Sequence, residues 1–514
     1  MVFSFEVKDT DLLGRVGVLK VGGKTLETPC LLPVVHPVNQ TISTEELKAM
    51  GFRGLMTNSY IIWSRRKDEA LRKGIHEMLD FEGVLMTDSG GYQVLEYGDL
   101  DIGYDDIASF QAEIGSDMAV TLDRPTGYPQ SRRAAEESVE YSLRNAIATA
   151  REYMDSSTVW VGPIQGGLYQ DLVMKSAASL WKAGFGFLAL GSPVQVMENY
   201  MFADLVKMVV AARRPLPYSV PLHLFGAGHP LTMALAVALG CDTFDSASYA
   251  LFARNGRYMS HGGVLSLRMM KYLPCSCPVC ARTSVKDLQE VDARERTRLV
   301  ATHNLYMLRE EVEACKEAIA EGRLWDLVEE KSMAHPRLRD AFIELTKHRD
   351  IFVEGTPLLK DRGLLLRSEE DLGRPELDSA AKRLGSVLRR ESRDAVLLTS
   401  WDSVPIGKKK QGSAGVPYKS DTYRIHPVLG VYPAELDFVY PFTQVVTAGA
   451  IDSRVSVKEA AARLRKLGYR SVKVSTAGAK RRNASRQVTS RRTRQGASLS
   501  PRSSSPRPRS PRRP

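Results

Sequence analysis

Eight short apolar runs in the first 250 residues, each followed by small or polar residues and then a helical pattern, restrict this chain more than any other feature. They are CLLPVV (30–35), GLMT (54–57), GVLMT (83–87), MAVTL (118–122), TVWVGPI (158–164), GFLAL (186–190), PLHLF (221–225) and the short DTF (242–244). Between them lie amphipathic stretches such as AAEESVEYSLRNAIATAREYM (134–154) and LYQDLVMKSAASLWKAG (168–184). Strands alternating with helices build parallel βαβ units. Eight such strands close a (β/α)8 barrel of the TIM type, whose active site lies at the C-terminal ends of the strands. A doubly wound open sheet is the alternative, because DTF is short and weakly marked.

The strand ends carry polar chemistry. Asp88, Asp123, Gln165, Gly191, Phe225 and Asp245 each stand at or just past the end of a run. Stability alone gives no reason for such a convergence on one rim. TDSGGYQV (87–94) places an aspartate after a strand, then Ser89 and two glycines that let a backbone approach a ligand closely. TFDSASYALFARNGRYM (243–259) repeats the arrangement with Asp245. Singly, an Asp before a small residue is more often a turn or a helix cap. Two on one rim suit glycosyl transfer, one as nucleophile and one as acid/base.

PCSCPVC contributes Cys275, Cys277 and Cys280, a C-x-C-x2-C cluster close enough in sequence to grip one ion. A tetrahedral zinc site needs a fourth ligand. His303, within the helical pattern RTRLVATHNLYMLREEV, is the first candidate, and His261, in a Gly-rich stretch before the cluster, is the second. Four protein ligands leave no open position, so such a zinc is structural. The bland reading is three unligated cysteines in a turn. Cys30, Cys241 and Cys315 are scattered and read as ordinary buried residues.

FEVKDTDLLGRVGVLKVGGKTLETP alternates around Gly-Gly and predicts a β-hairpin before the barrel, while residues 288–322 predict a long helix. The domain expectation is a catalytic barrel with its metal site over 1–335, a small α+β module over 336–406, a linker or exposed loop over 407–420 and a C-terminal module over 421–474. The last segment, 475–514, is a Ser, Arg and Pro tail expected to be disordered. That tail holds eleven Arg, one Lys and no acid, so its +12 leaves −1 for the rest of a chain whose net charge is +11. The folded part is therefore near neutral, and the tail can contact phosphates non-specifically or simply be solvated. No apolar run approaches a membrane span, and the N-terminus has no basic n-region, so a cytoplasmic protein is expected.

TDSGGYQ, PIQGG, LALGS, FDSASYALFARNGRY and the C-x-C-x2-C…His cluster together resemble the tRNA-guanine transglycosylases, in that family's order across roughly residues 1–335. DSASY and the HPVLGVYPAELDFVYPF segment resemble the archaeal branch. The resemblance implies a glycosyltransferase (a pentosyltransferase) that exchanges guanine 15 of the tRNA D-loop for 7-cyano-7-deazaguanine on the way to archaeosine. It implies Asp245 as the nucleophile on ribose C1′ and Asp88 as the general acid/base. Base recognition falls to Ser89, Asp123, Gln165 and Gly191, with Tyr92 and Phe225 stacking or merely packing. The implied cofactor is one zinc, and the implied partners are tRNA, both bases and a second copy of the chain. Archaeal members commonly end in a PUA domain, which prompts the expectation of a PUA protein acting in trans.

Four alternative readings make different demands on the sequence. An archaeosine-synthase-like paralogue is expected to lack both aspartates and the metal cluster and to carry PC-x3-KPY, a motif not found here. An anticodon-directed queuine-type enzyme fits the extended C-terminus poorly. A non-catalytic tRNA-binding subunit predicts an eroded site. A carbohydrate hydrolase has no use for the metal cluster or the IQGG loop.

Overall fold

The computed structural model describes residues 3–91, 102–388, 394–398, 421–448, 451 and 455–475. The 407–420 segment, the 476–514 tail and Tyr92 lie outside the described residues. No helix among the described residues is long and apolar enough to cross a membrane.

All eight apolar runs form strands. Three N-terminal strands come first: β1 (Phe3–Asp11), β2 (Gly14–Val21) and β3 (Lys24–Thr28). They make an antiparallel meander, one strand more than the predicted hairpin: β2 and β3 turn at Gly22-Gly23, and β1 joins β2 through a second turn at Leu12-Leu13 that no glycine marks. The barrel strands follow as β4 (Cys30–Pro33), β5 (Gly54–Asn58), β6 (Val84–Asp88), β7 (Met118–Val120), β8 (Val159–Ile164), β9 (Phe187–Leu190), β10 (Leu222–Leu224) and β11 (Thr243–Ser246). All pair in parallel in the order β4-β11-β10-β9-β8-β7-β6-β5. The circle closes where Val34 bridges Met56 and the Val35 N–H donates to the Met56 carbonyl at 2.7 Å. The open-sheet alternative is thereby excluded.

Side chains of a strand alternate between faces, and this divides the core in two. Leu31, Leu55, Leu85, Ala119, Trp160, Leu188, Leu222 and Phe244 pack outward among the helices. Leu32, Met56, Val84, Met86, Met118, Val120, Val159, Val161, Phe187 and Ala189 pack inward with Leu19, Val21 and Leu26 of the meander. The meander thus fills one end of the barrel with apolar side chains. The inward parity continues at the other end through Asn58, Asp88, Gln165, Gly191, His223, Phe225 and Asp245.

After β11 a hairpin, β12 (Arg257–Ser260) and β13 (Gly263–Ser266), precedes the cysteine cluster. The predicted long helix is Ala293–Ala320, capped by Asp292, whose carboxylate accepts from the Arg294 and Glu295 N–H groups. The chain divides into two compact units. The first comprises 1–385 with 444–451, where Val445–Thr447 pairs in parallel with Leu364–Leu366. The second comprises 386–443 and 452–514; its described core is a four-stranded sheet of Asp394–Leu398, Asp421–His426, Gly430–Pro433 and Ser471–Ser475, packed with the helix Val457–Lys466.

Candidate active site and metal centre

Three carboxylates meet at the rim. Asp88 ends β6 opposite Asn58 of β5. The Asn58 Oδ1 accepts from the Ile61 N–H at 2.8 Å as the cap of the following helix. Its Nδ2 is therefore the atom that donates to Asp88 Oδ2, at 3.0 Å. Burial, then the charge of Asp245, raises the Asp88 carboxyl to about 6, against backbone hydrogen bonds from Gly90 and Ser89. A carboxyl poised there can both give and take a proton near neutrality.

Asp123 follows β7, and Gln165 follows β8. Gln165 Oε1 accepts from the Thr126 N–H at 3.0 Å and the Ser192 hydroxyl at 2.9 Å, which turns Nε2 towards Asp123 Oδ2 at 2.6 Å. Burial, then the Asp88 charge, raises Asp123 to about 7. Ser89 is fully buried, its hydroxyl donating to the Thr121 carbonyl at 3.3 Å.

The glycines provide room. A Cβ on Gly191 would lie 2.2 Å from Gln165 Nε2, and one on Gly91 would lie 2.1 Å from Asp123 Oδ1. The Gly191 N–H already donates to the Ile164 carbonyl at 2.8 Å, so what Gly191 offers a ligand is space. In the IQGG loop, Gly166 has φ +140° and a Cβ there would stand 2.6 Å from the Val173 nitrogen. Gly191→Ala is expected to displace the Gln165 amide and to weaken any ligand held by Gln165 and Asp123 more than about tenfold, the scale of one charged hydrogen bond lost. Calorimetric titration with guanine checks this, and unchanged affinity would remove Gly191 from the pocket.

Asp245 ends β11. Its Oδ1 accepts from the Gly226 N–H at 2.8 Å and lies 3.0 Å from His223 Nε2. Phe225 is half-buried, its ring edge-on to His223 with centroids 4.9 Å apart. The structure therefore brings Asp88, Ser89, Asp123, Gln165, Gly191, Phe225 and Asp245 to one rim. Sequence reasoning missed Asn58, Thr126, Ser192 and His223. For Asn58 and His223 the available signal was a polar residue at an inward position of an otherwise apolar strand.

The second constellation is Cys275, Cys277, Cys280 and His303, whose ligand atoms all lie within 4.8 Å of one another. The edge of a zinc–thiolate tetrahedron is about 3.8 Å, so this donor set can close on a single ion. His303 Nε2 lies 2.8 Å from the Met259 carbonyl and must donate to it, which leaves the Nδ1 lone pair facing Cys277 and Cys280 at 3.5 and 3.4 Å. The Tyr258 ring stacks on His303 at 3.6 Å. The contact between Cys277 and Cys280 draws the first thiol down and pushes the second up, as two sulfurs sharing one proton do. Asn304 secures the helix beside the site, accepting from the Met259 N–H at 2.9 Å. His261 instead meets Glu311 at 2.8 Å and is largely exposed, so the second candidate is not a ligand. Cys241 and Cys315 are fully buried and Cys30 is half-buried; burial pushes all three thiols up.

A family model described as queuine tRNA-ribosyltransferase matches residues 9–337. The chain is 40% identical over 448 residues to a tRNA-guanine(15) transglycosylase of Aeropyrum pernix, covering 86% of this chain and 87% of that one. It is 37% identical to the one of Sulfolobus acidocaldarius, over 88% of this chain and 91% of the relative. For the Methanopyrus kandleri protein of the same name the figures are 40%, 86% and 95%.

Proposed function

The chain belongs to the queuine tRNA-ribosyltransferase family, a family of glycosyltransferases, and on that premise we propose that it replaces guanine 15 of tRNA with 7-cyano-7-deazaguanine. The observation that carries the reading is the convergence of Asp88, Asp123 and Asp245 on one barrel rim, where Asp245 and Asp88 each raise a neighbour's pKa. The relatives' shared name supplies the position.

Asp245 attacks ribose C1′ while Asp88 protonates the departing guanine, leaving a covalent enzyme–RNA intermediate. Asp88 then takes the proton of the incoming base, which attacks the same carbon and restores the β configuration. Asp123 and Gln165 read the base edge. Asp123 can accept a purine N–H on each of its two oxygens only when ionised, and the Gln165 amide, now on Asp123 Oδ2, must share it with the ligand. Phe225 borders the base. The target guanine leaves its stack to reach the pocket, so the tRNA D-loop is rearranged on binding. The four-ligand metal site holds zinc, which orders the segment after the hairpin and takes no part in catalysis. The protein works in the cytoplasm. An eroded, non-catalytic subunit would have no reason to keep three carboxylates together at one rim.

The test is incorporation of radiolabelled guanine into unmodified archaeal tRNA, beside a tRNA with adenine at position 15. Incorporation confined to the first tRNA is expected. Equal labelling of both, or labelling at the anticodon, would overturn the position. Competition by 7-cyano-7-deazaguanine then identifies the incoming base.

Because Asp123 must be ionised to bind, guanine affinity is expected to fall about tenfold per pH unit below about 7 and to level off above it. The folded carboxyl is raised, so protonation competes from that value downward. Titrations between pH 5 and 9 check the slope, and Asp123→Asn should flatten it.

A homodimer is proposed through the metal region, supported by the exposed Leu251, Leu265, Met269 and Tyr272 on and beside the hairpin. Analytical ultracentrifugation is expected to show a dimer that Met269→Glu weakens. A monomer at micromolar concentration would remove this proposal.

A further inference from the structure

The geometry points to His223 as a positioning residue that, with the Gly226 N–H, anchors Oδ1 of Asp245 and leaves Oδ2 as the atom that bonds to ribose. This rests on the reading of Asp245 as the nucleophile.

His223 is fully buried on β10, in register beside Thr243 of β11. Its Nε2 lies 3.0 Å from Asp245 Oδ1, and its Nδ1 lies 2.7 Å from Thr243 Oγ1. A nucleophilic carboxylate only accepts hydrogen bonds, so Nε2 carries the proton it donates. Nδ1 faces the Thr243 hydroxyl, which can donate or accept, so the carboxylate sets the proton on Nε2 and Thr243 holds the ring in place. Oδ1 receives two donors, from His223 and Gly226. Oδ2 accepts no hydrogen bond from the described residues, and it is not among the buried unpartnered atoms, so it is open to the pocket.

This asymmetry divides the work between the two oxygens. In the first displacement an Oδ2 lone pair forms the bond to C1′, and the C1′–N9 pair leaves with guanine, which takes the Asp88 proton. In the second, the incoming base gives its proton to Asp88 and attacks C1′. The C1′–Oδ2 pair then returns to the carboxylate, and the charge spreads to Oδ1 under its two donors. Donors held ready for a charge that reappears favour that step, because they lower the basicity of the leaving carboxylate. They do less for capture, where the same charge is consumed. His223 therefore serves release of the intermediate more than its formation.

Rapid-quench single-turnover reactions with labelled tRNA read both steps: growth of a denaturant-resistant RNA–protein adduct, then its disappearance on a guanine chase. His223→Leu is expected to slow the chase about tenfold or more, the scale of one charge-assisted hydrogen bond, with a smaller change in capture, so the adduct accumulates. His223→Gln, which restores an N–H near the Nε2 position, should recover most of the chase rate. Thr243→Val leaves the imidazole in the core but removes the partner that orients its Nδ1 side, and should fall between them. Equal loss of both steps in His223→Leu without rescue by Gln would make His223 a packing residue and overturn the proposal. Unchanged kinetics in His223→Leu would do the same. A wild-type enzyme that exchanges guanine yet forms no adduct would remove the nucleophile reading itself, a result separate from either.

Discussion

Asp245→Asn is expected to exchange guanine at least on the order of 10⁴-fold more slowly than the wild type, the loss seen when a covalent nucleophile is removed. Asparagine keeps an oxygen that can take the Oδ1 place, accepting from the Gly226 N–H and His223 Nε2, so the fold and the tRNA affinity should survive. Labelled-guanine incorporation measures the loss, and filter binding of tRNA measures what remains. Retention of more than about one percent of the rate would move the covalent chemistry to another group. The comparison is informative because Asp88 sits nearby with a raised pKa. Removing the Asp245 charge also removes one of the causes that raise it. The residual activity of the variant should therefore decline at a lower pH than that of the wild type, as Asp88 gives up its proton earlier.

The second large effect concerns the metal. Cys280→Ser or His303→Ala is expected to abolish metal content and lower the melting temperature by about 10 °C, since structural zinc contributes on the order of 10 kcal/mol in small sites and part of it is recovered by local unfolding. Elemental analysis with a thermal melt checks both. Full metal content in either variant would put the ion elsewhere. Because the four side chains would close the coordination sphere of a bound zinc, replacing it with cadmium should leave the turnover rate nearly unchanged. A rate that followed the metal's identity would mean that the ion touches substrate.

The barrel could be read from the sequence because each strand is short, apolar and flanked by turn residues, and even DTF found its place between β4 and β10. The rim residues were legible for a simpler reason: each stands where an apolar run stops. What escaped was interior. Asn58 caps a helix, and the same side chain also holds Asp88, a double role that no sequence pattern shows. His223 sits in the middle of PLHLF, where a single polar residue reads as a satisfied core histidine. Its importance shows only once Thr243 and Asp245 arrive from the neighbouring strand. Counting parity inward from Val84 and Met86 would have grouped Asn58, Asp88, His223 and Asp245 on one face. The rivalry of His303 and His261 was not decidable by spacing, since it depends on how the hairpin turns His261 towards Glu311.

The pairing of β4 with β11 has a consequence for how an active molecule comes into being. Asp245 stands in register with Leu32, more than two hundred residues earlier in the chain. The proposed nucleophile is thus held by the contact that spans the greatest length of barrel sequence, and long loops are the last to close in a folding chain. Helices and most neighbouring strands can assemble as local βαβ units while the pocket is still incomplete. Regain of exchange activity after dilution from denaturant should trail the recovery of helical signal. During synthesis, a nascent chain that has released the meander and its first seven barrel strands holds much of its structure and none of its chemistry.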